Sequence, residues 1–152
     1  MLRPLTVLLC SLSILLVSCG GTDEDARVAG TGQGQGLDLE QIKDRLELAG
    51  LECGEPTPVD PTEGALGVAP LEELECEVDG ASVQALSHEG PAEVLATRNV
   101  YGQLACVFEP EAAWVEGPNW SVSASTSESP YDPEVTATVG AALGVEPTII
   151  RC

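Results

Sequence analysis

Four cysteines, Cys53, Cys76, Cys106 and Cys152, stand singly and far apart along the chain. Structural zinc sites take their ligands in close pairs such as C-x-x-C, and no such spacing occurs here, so the four predict two disulfides. Three pairings exist for four cysteines. Cys53–Cys76 with Cys106–Cys152 is the preferred set, because its first bond clamps the proline-rich stretch 54–71, which carries Pro56, Pro58, Pro61 and Pro70. Disulfides persist in oxidising compartments, so this reading goes with an exported chain.

The first residues supply the means. Met1 to Arg3 form a short n-region with one positive charge, and Leu5 to Leu16 an apolar run broken only by Thr6, Ser11 and Ser13. The run is too short to span a bilayer as a helix, which takes roughly 20 apolar residues. Leu16-Val17-Ser18-Cys19 follows directly and resembles the lipobox of lipoprotein signal peptides. That resemblance implies diacylglycerol on the Cys19 sulfur and cleavage just before it. General signal peptidase acting after Ser18 would meet Leu16 where a small residue is wanted. Parity agrees: of six cysteines, Cys10 leaves with the leader and Cys19 takes lipid, and four remain for two bonds.

Arg3 also leaves, so five cationic side chains then face 25 acidic ones, a formal charge of −20. Such a field repels nucleic acid and anionic lipid headgroups, which need clustered Lys and Arg. Attachment to the membrane therefore falls to the lipid on Cys19, and stable anchoring calls for at least two acyl chains.

Three segments follow: a signal peptide over 1–18, a tether over 19–36 and one domain over 37–152. Gly20 to Gly36 holds six glycines and the acidic triplet Asp23-Glu24-Asp25. Nothing in it can bury a core, and a coil of that composition reaches roughly 20–25 Å. The domain opens with a helix. Asp38 is its N-cap, Gln41 completes a capping box, Leu37 staples onto Ile42, and Leu39, Ile42, Leu46 and Ala49 form a buried stripe that Gly50 ends. Leu74, Cys76 and Val78 alternate with acids in a half-buried strand, turned at Asp79-Gly80 into a second strand over 81–87. Gly90-Pro91 starts a short helix to about Asn99. Leu104 to Phe108 reads as extended, as does Trp114 to Ser125 about a turn at Gly117-Pro118. Asp132-Pro133 caps a last helix with Val135, Val139, Ala142 and Leu143 on one stripe, stopped by Gly144, and 148–152 closes as a strand.

This order predicts an α+β fold, an antiparallel sheet with helices packed on one face, stapled by disulfides. Residues 81–152 can be drawn as the β-α-β-β-α-β unit of a ferredoxin-like fold. One conflict follows. In a ferredoxin-like sheet, strands bearing Cys106 and Cys152 would lie on opposite edges, so either that topology or that bond must give way.

Candidate chemistry is sparse. The one histidine, His88, lies in Ser87-His88-Glu89-Gly90 at a strand end, where an exposed turn residue is expected. No Walker, H-E-x-x-H or G-x-S-x-G motif occurs, so no catalytic residue and no cofactor is assigned. Glu73, Glu75, Glu77 and Asp79 line one strand face roughly 7 Å apart, too spread to enclose one ion, and no metal site is assigned. Trp120, in Gly117-Pro118-Asn119-Trp120, is expected to fill the core.

With Gly50-Leu51-Glu52-Cys53 ending the first helix, Cys76 on the next strand, the lipobox and the Gly-x-Asn-Trp turn, the chain resembles a group of small cell-envelope lipoproteins of high-GC Gram-positive bacteria. The resemblance implies a fold and a location and brings no activity with it. The expected protein is a lipid-anchored module on the extracytoplasmic face of the cell membrane, non-catalytic, binding an unidentified protein or small molecule. An envelope hydrolase built on His88, or an acidic cation-binding module, is the alternative.

Overall fold

The computed structural model describes residues 34–60, 62 and 68–152. The signal peptide, Cys19 and most of the expected tether lie outside the described residues.

Helix α1, Leu39–Leu48, forms as the sequence predicts. Asp38 accepts from the Gln41 amide at 2.8 Å while the Gln41 side chain accepts from the Asp38 amide at 3.2 Å, satisfying two of the helix's free N–H groups. Leu39, Ile42 and Leu46 are buried. Ala49, expected to extend this stripe, is exposed at the C-cap.

Two short strands follow, β1 (Glu52–Cys53) and β2 (Thr57–Pro58), and both pair with the longer β3 (Glu72–Val78). Asp79 and Gly80 both take positive φ, 48° and 82°. That is the conformation a two-residue hairpin demands, and it returns the chain as β4, Ala81–Ser87.

The helix after Gly90-Pro91 is twice the expected length. Helix α2 runs over Pro91–Phe108, so Leu104 to Phe108 is helical and not extended. A packing contact decides the matter. A Cβ on Gly102 would come within 3.1 Å of Ile150 Cδ1, so the glycine lets helix and strand approach closely instead of breaking the helix.

Strands β5 (Glu111–Glu116) and β6 (Trp120–Ser125), helix α3 (Pro133–Leu143) and strand β7 (Thr148–Arg151) complete the chain. Asp132 caps α3 through the Glu134 and Val135 amides, and Gly144 ends it at positive φ. Within α3, Val139 and Leu143 are buried, with Val135 and Ala142 packed against them.

The sheet is antiparallel, in the order β1-β3-β4-β6-β5-β7, with β2 alongside β3. The α+β class and both expected disulfides are present. The ferredoxin-like drawing gives way at one strand, because β7 pairs with β5 and not with β4. That single difference settles where the helices lie. The β4-to-β5 and β6-to-β7 connections step in the same direction across the sheet from strands of opposite sense. Right-handed crossovers then require α2 and α3 on opposite faces. Helices α1 and α3 layer on one face, over a core of Leu74, Val83, Val115, Trp120 and Val122. Helix α2 covers the reverse face at the β5–β7 end, above Trp114, Glu116 and Ile150. Cys106 on α2 thereby stands over the end of β7, and the bond to Cys152 forms with Cα atoms 5.4 Å apart.

Candidate functional site

Cys53 and Cys76 are direct cross-strand partners on β1 and β3, with Cα atoms 4.0 Å apart, and their bond closes the proline-rich stretch. Cys76 is buried, whereas Cys106 and Cys152 are exposed.

Trp120 is fully buried, as expected of a core residue, and it has a second duty. Its Nε1 donates to the Gln35 carbonyl at 2.8 Å, and Asn119 Nδ2 donates to the Leu37 carbonyl at 3.1 Å. The Gly117–Trp120 turn thus grips the segment that enters the domain. Gly34, Gln35 and Gly36, expected as the end of the tether, lie against this turn. A Cβ on Gly34 would meet Trp120 Cζ2 at 2.9 Å and Val145 Cγ2 at 2.6 Å. The sequence marks the turn, but it does not show what the turn holds.

His88 departs from expectation. It is only 3% exposed, because α2 starts three residues later and folds back over it. Its Nε2 lies 2.9 Å from Ser121 Oγ, the separation of a nucleophile and its base. Among the described residues, the rest of such a centre is missing. The buried His88 Nδ1 has no hydrogen-bond partner among the described residues, so no third group orients the imidazole from that nitrogen. Ser121 is 0% exposed, which leaves no approach to its hydroxyl. Glu116, the cross-strand neighbour of Ser121, commits Oε1 to Arg98 Nη1 at 2.6 Å. Burial pushes the Glu116 carboxyl above its usual range, opposed by Arg98, and burial lowers His88 below an ordinary imidazole. The cluster is a polar patch sealed under α2.

Glu75, Glu77 and Asp79 are exposed on the outer face of the β3 hairpin, and Glu73 is half-buried. Among the described residues, no group of three or more His, Cys, Asp or Glu side chains is placed to hold a metal ion.

The reverse face of the sheet offers a better-built site where α2 leaves it uncovered. The alternation of β6, Trp120-Ser121-Val122-Ser123-Ala124-Ser125, buries the apolar residues on the core side and turns the serines to the other. Ser123 pairs in register with Gln84, and Ser125 with Ser82. These four floor a cleft of about 230 Å³, with Glu75 at one margin. Tyr101 from α2 and Tyr131 from the loop before α3 stand as its walls. The Tyr101 ring is braced against Trp114, with centroids 5.9 Å apart. Burial, with a smaller contribution from Tyr101, raises the Tyr131 phenol above its ordinary value, so it remains a hydrogen-bond donor at neutral pH. Sequence reasoning missed this site. The available signal was the strict Ser-x-Ser-x-Ser alternation, which reads equally well as a solvated strand face.

A larger cleft of about 350 Å³ runs between α2 and β7, floored by Gly102 and Ile150 beside the Cys106–Cys152 bond. Its lining is mainly apolar, and Arg98 at its rim is already paired with Glu116. It holds less to orient a ligand than the smaller polar cleft does.

No family of known proteins, no curated protein and no solved structure matches the chain.

Proposed function

We propose that this chain is a cell-envelope lipoprotein, cut before Cys19 and held by lipid at the extracytoplasmic face of the membrane, whose domain is a non-catalytic binding or structural module. The observation that carries this reading is the pair of disulfides, Cys53–Cys76 and Cys106–Cys152, in a domain preceded by an apolar leader ending Leu16-Val17-Ser18-Cys19. Such bonds belong to oxidising compartments, and the leader is a route to one. No helix among the described residues is long and apolar enough to cross a membrane, which fits attachment through lipid. The sealed His88–Ser121 pair, with no partner on Nδ1 among the described residues, favours binding over hydrolysis. The partner meets an acidic surface, so nucleic acid is disfavoured.

Metabolic labelling with a palmitate analogue in the native host tests the anchor. Wild-type protein should carry label and partition into the detergent phase, and Cys19→Ala should do neither. An unlabelled wild-type protein recovered only from the medium would overturn the proposal.

A further inference from the structure

We propose that the cleft floored by Ser82, Gln84, Ser123 and Ser125, between Tyr101 and Tyr131, binds a neutral carbohydrate. This deepens the binding-module reading and rests on it for the setting, an envelope surface where glycans are at hand.

The lining selects the ligand class. Among the described residues that line it, Glu75 is the one acidic side chain, and the rest is hydroxyl, amide, phenol and proline. Serine hydroxyls and the Gln84 amide both donate and accept, so they can match the mixed donor and acceptor edge of a sugar ring. Gln84 Nε2 donates to Glu73 Oε2 over a long 3.5 Å, a weak bond that a ligand can replace. Each tyrosine adds an apolar ring face and a polar tip, as suits a ligand whose faces carry C–H groups and whose rim carries O–H. Tyr101 is held by Trp114, and Tyr131 lies in a loop pinned by the Asp132 amide on the Ala124 carbonyl at 2.9 Å. Both walls are therefore placed before a ligand arrives.

Other classes fit less well. Anionic ligands meet a formal charge of −19 on the full chain with Glu75 at the margin. A peptide adding as a strand needs free backbone donors, but β4 and β6 are each paired on both sides, so this face offers only side chains. The volume lies below the roughly 300–1,000 Å³ of enclosed drug-sized pockets, which suits a short stretch of glycan lying along an open surface.

Saturation-transfer NMR on the full lipidated chain, in a detergent without a sugar headgroup, tests this directly. The probes are neutral tetrasaccharides of N-acetylglucosamine, mannose and glucose, with tetragalacturonate as the anionic counterpart. At least one neutral probe should show saturable transfer in the millimolar range, and tetragalacturonate should show none. Ser82→Arg fills the cleft from an exposed position and should abolish transfer without changing the melting temperature, as should Tyr131→Ala or Gln84→Leu wherever the variant keeps the wild-type melt. Silence from every neutral probe, transfer surviving in Ser82→Arg, or preference for tetragalacturonate would overturn the proposal. A lipidated protein that ignores all neutral probes sinks the ligand and leaves the envelope reading standing. Glycan binding by a protein whose Cys19 is never lipidated does the reverse.

Discussion

His88 Nε2 and Ser121 Oγ meet at 2.9 Å beneath α2, in a contact that solvent does not reach. Burial lowers the His88 pKa below its ordinary value of 6.5, against a smaller opposing pull from Glu93. The unfolded chain therefore takes up a proton as pH falls through about 6.5, while the native chain resists it. Stability that is fully present above pH 6.5 is lost as pH falls toward the depressed native pKa. The urea midpoint should drop between pH 7.5 and 5.5, and His88→Gln should flatten that slope. An unchanged slope in the variant would assign the loss to other groups.

Arg98 and Glu116 tie α2 to β5 at 2.6 Å, with side chains 30% and 14% exposed. Removing one partner leaves the other buried and unpaired, and that penalty exceeds the value of the pair itself. Arg98→Ala should destabilise by roughly 1–3 kcal/mol. Adding Glu116→Gln should recover part of the loss, since the stranded charge goes. Denaturation of the two single variants and the double variant makes the comparison, and strictly additive losses would contradict it.

What the sequence showed and what it hid divide along local and distant interactions. Helix α1 was legible because its cap, staple and terminating glycine all lie within its own 15 residues, Leu37 to Leu51. The Asp79-Gly80 hairpin and the Asp132 cap were legible for the same reason. The end of α2 was not, because Gly102 helps pack the helix only once Ile150, 48 residues later, lies against it. The position of β7 beside β5 was equally hidden, and with it the reason Cys106 and Cys152 can meet. His88 looked like a turn residue because the turn is real, and its burial comes from the helix that the turn starts. The tyrosine-walled cleft draws on β3, β4, α2, β6 and the loop before α3, a set no sequence window contains.

The two disulfides should differ in reactivity. Cys76 is 1% exposed within the core and Cys53 is half-buried, whereas Cys106 and Cys152 are both exposed, and thiolate attack needs access to a sulfur. Titration with a mild thiol under native conditions, followed by alkylation and peptide mapping, should open Cys106–Cys152 first. Replacing that pair by serine should cost roughly 3–4 kcal/mol on the chain-entropy estimate. Equal opening of both bonds would show that burial in the core does not shield Cys76.

The last test concerns the grip of Trp120 on the entering chain. A Cβ on Gly117 would collide with Trp120 Nε1 and Cε2, so the ring lies against this glycine with no slack between them. Gly117→Ala must displace the indole, which breaks its bond to the Gln35 carbonyl and disturbs a fully buried core residue. A clash of this kind should destabilise by roughly 1–3 kcal/mol. Trp120→Phe acts differently, because it removes the donor and some volume while leaving the core apolar. If the bond holds the segment, Trp120→Phe should expose Gln35 to Leu37 to limited proteolysis at pH 7 under conditions where the domain stays folded. Asn119→Ala should add to that exposure by freeing the Leu37 carbonyl. Both variants cleaving no faster than wild type near Gln35 would show that packing of Leu37, 5% exposed in the core, holds the segment without the two hydrogen bonds.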